Sequence, residues 1–251
     1  MSIRLDKCLA DSGYGTRSEV RSLVRSGAVY INGIEAKDAG ARVDTANDNI
    51  VVNGESVSYS EYEYYMLYKP AGIISASSDK KEKTVVDLID SKKRRDLFPV
   101  GRLDRDTEGL LLITNDGEFA HRLLAPGKHV EKKYMAIVSG KLPADIEGIF
   151  SSGIDIGDDK PTKPARLKIY NNRDDYLRVT SDDLVDYYML DKYQDTCSIA
   201  EIIITEGRYH EIKRMFAACG CQIEYLKRIS MGSYQLDAAL KPGGYKKIRK
   251  V

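Results

Sequence analysis

The chain of 251 residues carries 39 Lys and Arg against 38 Asp and Glu, so its formal net charge is +1. A hydrophobic fraction of 42% and a charged fraction of 31% are ordinary for globular proteins, which excludes wholesale disorder and a collagen-like or coiled-coil chain. At roughly 150 residues per domain, the length allows one sizeable core and a smaller appended unit.

The sequence carries no targeting or metal-binding signal. No apolar run approaches the roughly 20 residues of a membrane-spanning helix, and the N-terminus lacks the apolar segment of a signal peptide, so we expect a cytoplasmic protein with no membrane partner. The four cysteines fit neither a disulfide framework nor a zinc knuckle, and the three histidines are scattered. We therefore expect reduced thiols and no metal site.

The N-terminal part, residues 1–58, is predicted to form a small domain of two helices followed by hairpins. Ile3 and Leu5 belong to an apolar pattern that suits a short first helix. Thr16 and Glu19 have the spacing of a capping box, which predicts the start of a second helix.

An arginine row lies on this second helix. Arg17, Arg21 and Arg25 recur every four residues, so they share one face. Asn32-Gly33 and Asn53-Gly54 follow short β-branched runs and predict type I′ hairpins. The arginine row suits contact with phosphates, and a solvated cationic face is the ordinary alternative.

Residues 4–36, RLDKCLADSGYGTRSEVRSLVRSGAVYINGIEA, resemble an S4 RNA-binding domain. The R-L-D-K opening, the arginine-bearing helix and the V-x-I-N-G turn occur in the order typical of that family. The resemblance implies that this unit binds structured RNA through backbone phosphates, with little sequence readout.

Residues 59–64 are polar and acidic and are predicted to be a linker, so that a second domain spans 65–251. Its predicted strands are 65–68, 110–114, 134–139, 165–170 and 199–205, and its predicted helices lie near 84–90, 117–124, 144–151 and 210–218. This mixture predicts an α+β fold with a mixed, mainly antiparallel sheet. The acidic stretch 182–195 suits either an exposed loop or an edge strand.

The charge is unevenly distributed along the chain. Residues 1–30 have five basic and three acidic groups, residues 155–195 have seven and ten, and residues 205–251 have ten and four. A nearly neutral protein can therefore present positive surfaces to a polyanion at its two ends.

The most informative segment is 101–117, GRLDRDTEGLLLITNDG, a charged loop that leads into an apolar strand. Asp104 lies between Arg102 and Arg105, and positive neighbours favour a carboxylate that acts as a nucleophile or base. A loop of surface salt bridges is the alternative that composition alone leaves open.

This segment resembles the signature G-R-L-D-x-x-T-x-G-L-L-L-x-T-N-D-G of pseudouridine synthases of the RsuA/RluA superfamily. The resemblance implies that Asp104 is catalytic. The segment 129–134, HVEKKY, is similar to the family's H-x-E-K-x-Y, which implies that Tyr134 stacks on the target base and helps to remove a proton. The K-P-x-G segment places Lys69 near the site in a packing, phosphate-facing or catalytic role, and we assign it to RNA binding.

The segment 205–216, TEGRYHEIKRMF, resembles the E-G-R-Y-H-Q-V-K-R-M-F stretch of RsuA-type enzymes. The resemblance implies that Lys213 pairs with the catalytic aspartate, with Arg214 as the second candidate. Glu211 differs from the usual glutamine and adds a negative charge. The basic residues of this segment and of the Asp104 loop are assigned to RNA binding, namely Arg102, Arg105, Arg208 and Arg214.

The resemblance implies an enzyme that isomerises a specific uridine of 16S ribosomal RNA to pseudouridine during maturation of the small ribosomal subunit. The expected partner is 16S RNA or its assembly intermediate, the expected state is a monomer, and no cofactor is needed. Two alternatives remain: a pseudouridine synthase acting on 23S RNA, and a non-catalytic S4-type RNA-binding protein.

Overall fold

The computed structural model of the protein describes residues 2–90, 96–170 and 197–250. They form two compact units: the first comprises the described residues within Met1–Glu63 and Asp90–Leu97, and the second those within Tyr64–Ile89 and Phe98–Val251. The acidic stretch 182–195 lies outside the described residues. Among the described helices, none combines the length and the apolar character needed to cross a lipid bilayer.

The first unit has two short helices and two small sheets. Its elements are β1 (Ser2–Arg4), α1 (Leu5–Asp11), α2 (Arg17–Arg25), β2 (Val29–Ile31), β3 (Ile34–Glu35), β4 (Arg42–Asp44), β5 (Ile50–Val52) and β6 (Glu55–Ser56). The strands β3, β2, β5 and β6 form one antiparallel sheet in that order, and β1 pairs with β4. Apolar side chains of both helices, among them Leu5, Leu9, Val20 and Val24, pack with Val29 and Val52 in one core.

The start of α2 is the predicted capping box. The Glu19 amide donates to Thr16 Oγ1 at 3.3 Å, and the Thr16 amide donates to Glu19 Oε2 at 2.6 Å. The predicted hairpin turns are also confirmed, since Asn32 and Gly33, like Asn53 and Gly54, all have positive φ as type I′ turns require. The chain differs at its beginning, where residues 2–4 form a strand because they pair with β4.

The second unit is built around one mixed sheet. Its elements are β7 (Tyr64–Lys69), β8 (Phe98–Pro99), β9 (Glu108–Thr114), α3 (Gly117–Leu124), β10 (Lys132–Ser139), α4 (Ile146–Ser152), β11 (Arg166–Tyr170), β12 (Cys197–Ile204), α5 (Glu211–Ala218), β13 (Gln222–Met231), β14 (Tyr234–Gln235) and β15 (Tyr245–Lys247). The strand order is β11-β12-β10-β13-β9-β7-β15, with β8 beside β9 and β14 beside β13. Among these described strands, β9 and β13 are parallel and the other pairs are antiparallel. The predicted α+β class with a mainly antiparallel sheet is confirmed.

Two predicted features of this unit need correction. No strand is predicted over 222–231 from the sequence, yet β13 is ten residues long and lies between β10 and β9. The predicted helix near 84–90 is only a 3₁₀ turn at Val86–Leu88. Because Thr84 and Asp87 bond to each other's side chains and amides, the chain there forms a capped turn and does not continue as a helix.

Candidate active site

Asp104 lies in the loop between β8 and β9, at the edge of a pocket in the second unit. The pocket is lined by this loop, by Tyr134 of β10 and by the turn that joins β12 to α5. The Asp104 side chain is about one quarter exposed. The carboxylate is therefore accessible to a substrate atom that enters the pocket.

Two anchors hold the Asp104 loop. The Ser75 hydroxyl donates to the Leu103 carbonyl at 2.8 Å and accepts from the Leu103 amide at 3.1 Å. The Gly72 amide donates to the Arg105 carbonyl at 2.8 Å. The loop is thus fixed on both sides of Asp104 by the chain that follows β7, which gives the carboxylate a defined position.

Lys69, at the end of β7, is the third support of this loop. Its side chain is wholly buried, and Nζ donates to the carbonyls of Pro70, Arg105 and Thr107 at 3.0, 3.1 and 2.8 Å. Burial lowers the pKa of Lys69 to about 8. The predicted RNA contact of Lys69 is therefore wrong, because its ammonium is used by three carbonyls and has no surface toward solvent.

Steric crowding explains why the signature segment has a glycine at position 109. Gly109 has a φ of +100°, and a Cβ there would lie 2.3 Å from the Arg228 carbonyl oxygen. The strands β9 and β13 meet at this point in parallel register. Only glycine allows that approach, which positions the start of β9 and the loop before it.

A basic group from α5 pairs with the carboxylate. Lys213 Nζ lies 3.4 Å from Asp104 Oδ2 and 2.5 Å from Asp106 Oδ1. Partial burial opposes ionisation of Asp106, but its hydrogen bond from Lys213 holds the pKa of that carboxyl below its usual range. The structure therefore brings together Asp104 and Lys213, the pair expected from the sequence.

Arg214, the second candidate for that pairing, lies elsewhere. Its Nη2 donates to the Ile156 carbonyl at 2.6 Å and to Asp158 Oδ1 at 2.5 Å. Arg208 is held in the same region, with donations to the carbonyls of Lys160 and Pro161 and an ion pair to Asp158. Both guanidinium groups brace one loop, and this use competes with the RNA contacts predicted for them.

Arg102 and Arg105 are the exposed cations of the Asp104 loop. Arg102 lines the pocket, and Arg105 forms an ion pair of 3.2 Å with Glu82 on the surface. An exposed pair of this kind contributes little to stability. Both side chains remain accessible to a polyanion, and Arg102 is the one of the two that lies at the pocket.

Tyr134 forms one wall of the pocket and is almost completely buried. It lies opposite Arg228 in the register of β10 and β13. Burial raises the pKa of the Tyr134 hydroxyl, and the neighbouring Arg228 guanidinium partly opposes this rise. The ring is therefore neutral near pH 7 and suited to apolar contact with a planar base.

Two carboxyl groups, Glu206 and Glu211, lie at the turn before α5, and Glu211 itself lines the pocket. Both bind Arg208, whose amide donates to Glu211 Oε2 at 2.8 Å and whose Nε donates to Glu206 Oε2 at 3.1 Å. Burial, with Glu206 next to it, raises the pKa of Glu211 to about 7, whereas the hydrogen bonds from the Lys163 amide and from Arg208 hold the pKa of Glu206 below its usual range although burial opposes this. Glu211 is therefore the carboxyl of the two that more readily holds a proton near neutral pH, and in its protonated form it resembles the neutral glutamine of the motif.

Several residues around the site were not identified from the sequence. His210 has a positive φ of 49° and places Nε2 at 3.5 Å from Asp104 Oδ1. Arg228 is buried and donates from Nε to the Leu110 carbonyl at 2.7 Å. His210 could have been identified from the sequence, because it lies in the motif that leads into α5. Arg228 could not, because it lies next to Lys227 in a strand that was not predicted.

In the first unit, the arginine row is exposed on α2. Arg21 lies 3.6 Å from Asp6, whose carboxylate is buried and accepts from Arg4 at 3.0 and 2.9 Å. Among the described residues, no carboxylate lies within ion-pair distance of Arg17 or Arg25. The predicted face therefore offers cations to the solvent.

Over residues 2–90, 96–170 and 197–250, the structure brings no three His, Cys, Asp or Glu side chains into an arrangement that could hold a metal ion. The four cysteines are all free thiols.

Comparison with known families matches both units. The family model described as RNA pseudouridylate synthase matches residues 63–218, and that of the S4 domain matches residues 3–50. A crystal structure of a pseudouridylate synthase superposes with a TM-score of 0.60 and 31% identity, covering 98% of this chain and 96% of that one.

Individual relatives extend over nearly the whole chain. The uncharacterized RNA pseudouridine synthase YtzG of Bacillus subtilis is 43% identical over 98% of this chain and 95% of its own. The ribosomal large subunit pseudouridine synthase B of Bacillus subtilis is 38% identical over 90% and 84%. The ribosomal small subunit pseudouridine synthase A of Pasteurella multocida is 34% identical over 98% and 96%.

Proposed function

The chain belongs to the RNA pseudouridylate synthase family and is a pseudouridine synthase with an N-terminal S4 domain, and from this premise we propose that it modifies one uridine of 16S ribosomal RNA in the cytoplasm. The observation that carries the catalytic part of this proposal is the constellation of Asp104, Lys213 and His210 at the edge of a pocket walled by Tyr134.

The reaction needs geometry more than external chemistry. The N1–C1′ bond of uridine breaks, a C5–C1′ bond forms, C5 loses its proton and N1 gains one, so that atoms and electrons balance without a redox partner. Asp104 is the carboxylate that initiates cleavage of the glycosidic bond. The Lys213 ammonium, 3.4 Å away, orients that carboxylate and balances its charge.

Tyr134 holds the base while it changes its attachment. Its ring is buried against β13 and presents a fixed wall to the pocket. A uridine must leave its stack to reach Asp104, at a cost of a few kcal/mol. Contact with the aromatic wall and phosphate contacts of exposed cations such as Arg102 and Arg17 offset that cost.

The choice of 16S RNA is supported by co-linearity with relatives of that name. The small-subunit synthase of Pasteurella multocida aligns over 98% of the chain, against 90% for the large-subunit synthase of Bacillus subtilis. The large-subunit enzyme has the higher identity, 38% against 34%, so 23S RNA is the second candidate substrate. For either substrate, the protein acts as a monomer in which the predicted linker 59–64 joins the S4-like domain 1–58 to the catalytic domain 65–251, although the last linker residue, Tyr64, already belongs to β7.

The substrate is tested by tritium release from C5-labelled uridine in purified RNA. We expect the protein to release one equivalent of tritium from 16S RNA, either free or as an assembly intermediate, and none from 23S RNA. Mapping pseudouridine in ribosomal RNA from cells with and without the protein gives the independent result. Loss of a single site in 23S RNA only would overturn the 16S assignment.

A further inference from the structure

Tyr209 lies on the turn between β12 and α5, beside the pocket, and its side chain is not part of the core. With 74% of its surface exposed, it is the most exposed tyrosine among the described residues. A large aromatic ring that stays mostly in water adds little apolar burial to the fold. Its position next to a pocket-lining residue therefore raises the question of what its ring contacts.

The ring is fixed although it is exposed. It stacks on the ring of His210 with a centroid distance of 3.9 Å and an interplanar angle of 15°. The Tyr209 carbonyl accepts a hydrogen bond of 3.1 Å from Arg214, which is itself bound to Asp158 and to the Ile156 carbonyl. Backbone and ring are thus both held, so binding a planar ligand costs little conformational entropy.

The ring is also placed relative to the reacting group. His210 lines the pocket and has its Nε2 3.5 Å from Asp104. Tyr209 is therefore one stacked ring away from a side chain that contacts the proposed catalytic carboxylate. One face of the Tyr209 ring is covered by His210, and its high exposure means that the opposite face is open to solvent.

We propose that the open face of Tyr209 is a stacking platform for the nucleotide base that adjoins the target uridine, an inference that rests on the proposed function. When a uridine is turned into the pocket, its sequence neighbours lose a stacking partner. A fixed aromatic face at the pocket edge replaces that partner. Tyr209 therefore binds a neighbouring base that has lost its stacking partner. Because every base has a π face, this contact does not depend on which base it is.

The role differs from that of Tyr134. Tyr134 is buried inside the pocket and can contact only a base that has entered it. Tyr209 lies outside and contacts a base that has not entered. Its contribution is consequently to RNA affinity, whereas the chemistry remains with Asp104.

The test combines changes in the protein with changes in the RNA. The probe is an RNA stem-loop that contains the modified uridine, in three forms: intact, abasic at the 5′ neighbour and abasic at the 3′ neighbour. The proteins are the wild type, Tyr209→Phe, Tyr209→Leu and the matched control Tyr62→Leu, which removes another exposed tyrosine. Tritium release gives kcat and KM, and filter binding gives Kd.

We expect Tyr209→Leu to raise KM and Kd for intact RNA about 10-fold, with a much smaller change in kcat. One of the two abasic RNAs should bind the wild type about 10-fold more weakly, and Tyr209→Leu should show no further loss on that RNA. Tyr209→Phe should behave as the wild type, because the ring and not the hydroxyl is used. Tyr62→Leu should keep the response of the wild type to all three RNAs.

The inference is overturned if Tyr209→Leu binds intact RNA as tightly as the wild type, or if it loses the same factor as the wild type on both abasic RNAs. This failure is distinct from failure of the proposed function, in which the wild type itself releases no tritium from 16S RNA. Where the modified uridine proves to lie in 23S RNA, the same stem-loop design applies to that site.

Discussion

The arginine row of α2 and the pocket around Asp104 both present charged side chains, but they arrange them in opposite ways. Arg17 and Arg25 are exposed, with no carboxylate of the described residues in ion-pair distance. Asp104, in contrast, has Lys213 and His210 within 3.5 Å and lies in a loop held by Lys69. Exposed cations supply affinity that salt screens, whereas the paired groups supply a fixed geometry. Changes in the two regions should therefore affect different kinetic constants.

The largest effect among the supporting residues is expected at Lys213. Lys213→Met removes the ammonium beside Asp104 and should lower kcat roughly 100-fold or more, with KM changed little. Arg214→Met is the matched control, because Arg214 is adjacent in sequence but binds Asp158. It should lower kcat far less. Equal losses in the two variants, measured by tritium release, would show that the charge of the whole helix matters and not the Lys213 contact.

The arginine row should affect binding and not turnover. Replacement of Arg17, Arg21 and Arg25 by glutamine should weaken RNA binding by more than 10-fold and reduce the slope of log K against log salt by about 2 to 3. At saturating RNA, kcat should remain that of the wild type. Filter binding at several salt concentrations measures this slope, and an unchanged slope would remove the row from the RNA interface.

Lys69 tests the support of the Asp104 loop. Lys69→Met leaves the carbonyls of Pro70, Arg105 and Thr107 without their buried donor. The free energy of unfolding should fall by about 2 to 4 kcal/mol, and kcat should fall about 10-fold because the loop is no longer fixed. Denaturant unfolding and tritium release give the two values. A variant with normal stability and normal kcat would contradict the supporting role.

The smallest effect concerns the carboxyl pair. The pKa of Glu211 is raised in the folded protein to about 7, whereas the same group in an unfolded chain titrates near 4.5. As pH rises from 4.5 to 7, the unfolded chain therefore loses a proton that the folded protein keeps, and this group lowers the free energy of unfolding over that window.

Glu211→Gln removes the titration. The free energy of unfolding of this variant should fall less between pH 5 and pH 8 than that of the wild type. Urea unfolding at each pH measures both free energies. Glu131→Gln is the control, since Glu131 forms an exposed pair with Arg166. Parallel pH profiles for wild type and Glu211→Gln would contradict the assignment of the proton to Glu211.

Local signals in the sequence were sufficient for part of the molecule. The capping box at Thr16, the Asn-Gly hairpins and the strand after Asp104 each depend on residues a few positions apart, and the structure contains all three. The strand β13 was missed because Lys227 and Arg228 interrupt its apolar pattern. Both are nevertheless buried, since partners from distant strands surround them.

The partners of the basic residues at the site could not be predicted from local signals either. Lys69 was assigned to RNA binding, with packing as an alternative, but two of its three carbonyl partners come from residues 36 and 38 positions later. Arg208 and Arg214 meet Asp158 across 50 and 56 positions. A sequence motif shows which charged residues are present. Only the fold shows which of them already form hydrogen bonds or ion pairs within the protein.

The most direct test of the account is single-turnover tritium release by Asp104→Asn, with Asp106→Asn beside it. Both changes remove a carboxylate that contacts Lys213. We predict that Asp104→Asn is slowed at least about 1,000-fold while its Kd for RNA stays within about twofold of the wild type, and that Asp106→Asn is slowed less than about 10-fold. Release of tritium by Asp104→Asn at the rate of the wild type would contradict the central claim that this carboxylate carries the chemistry.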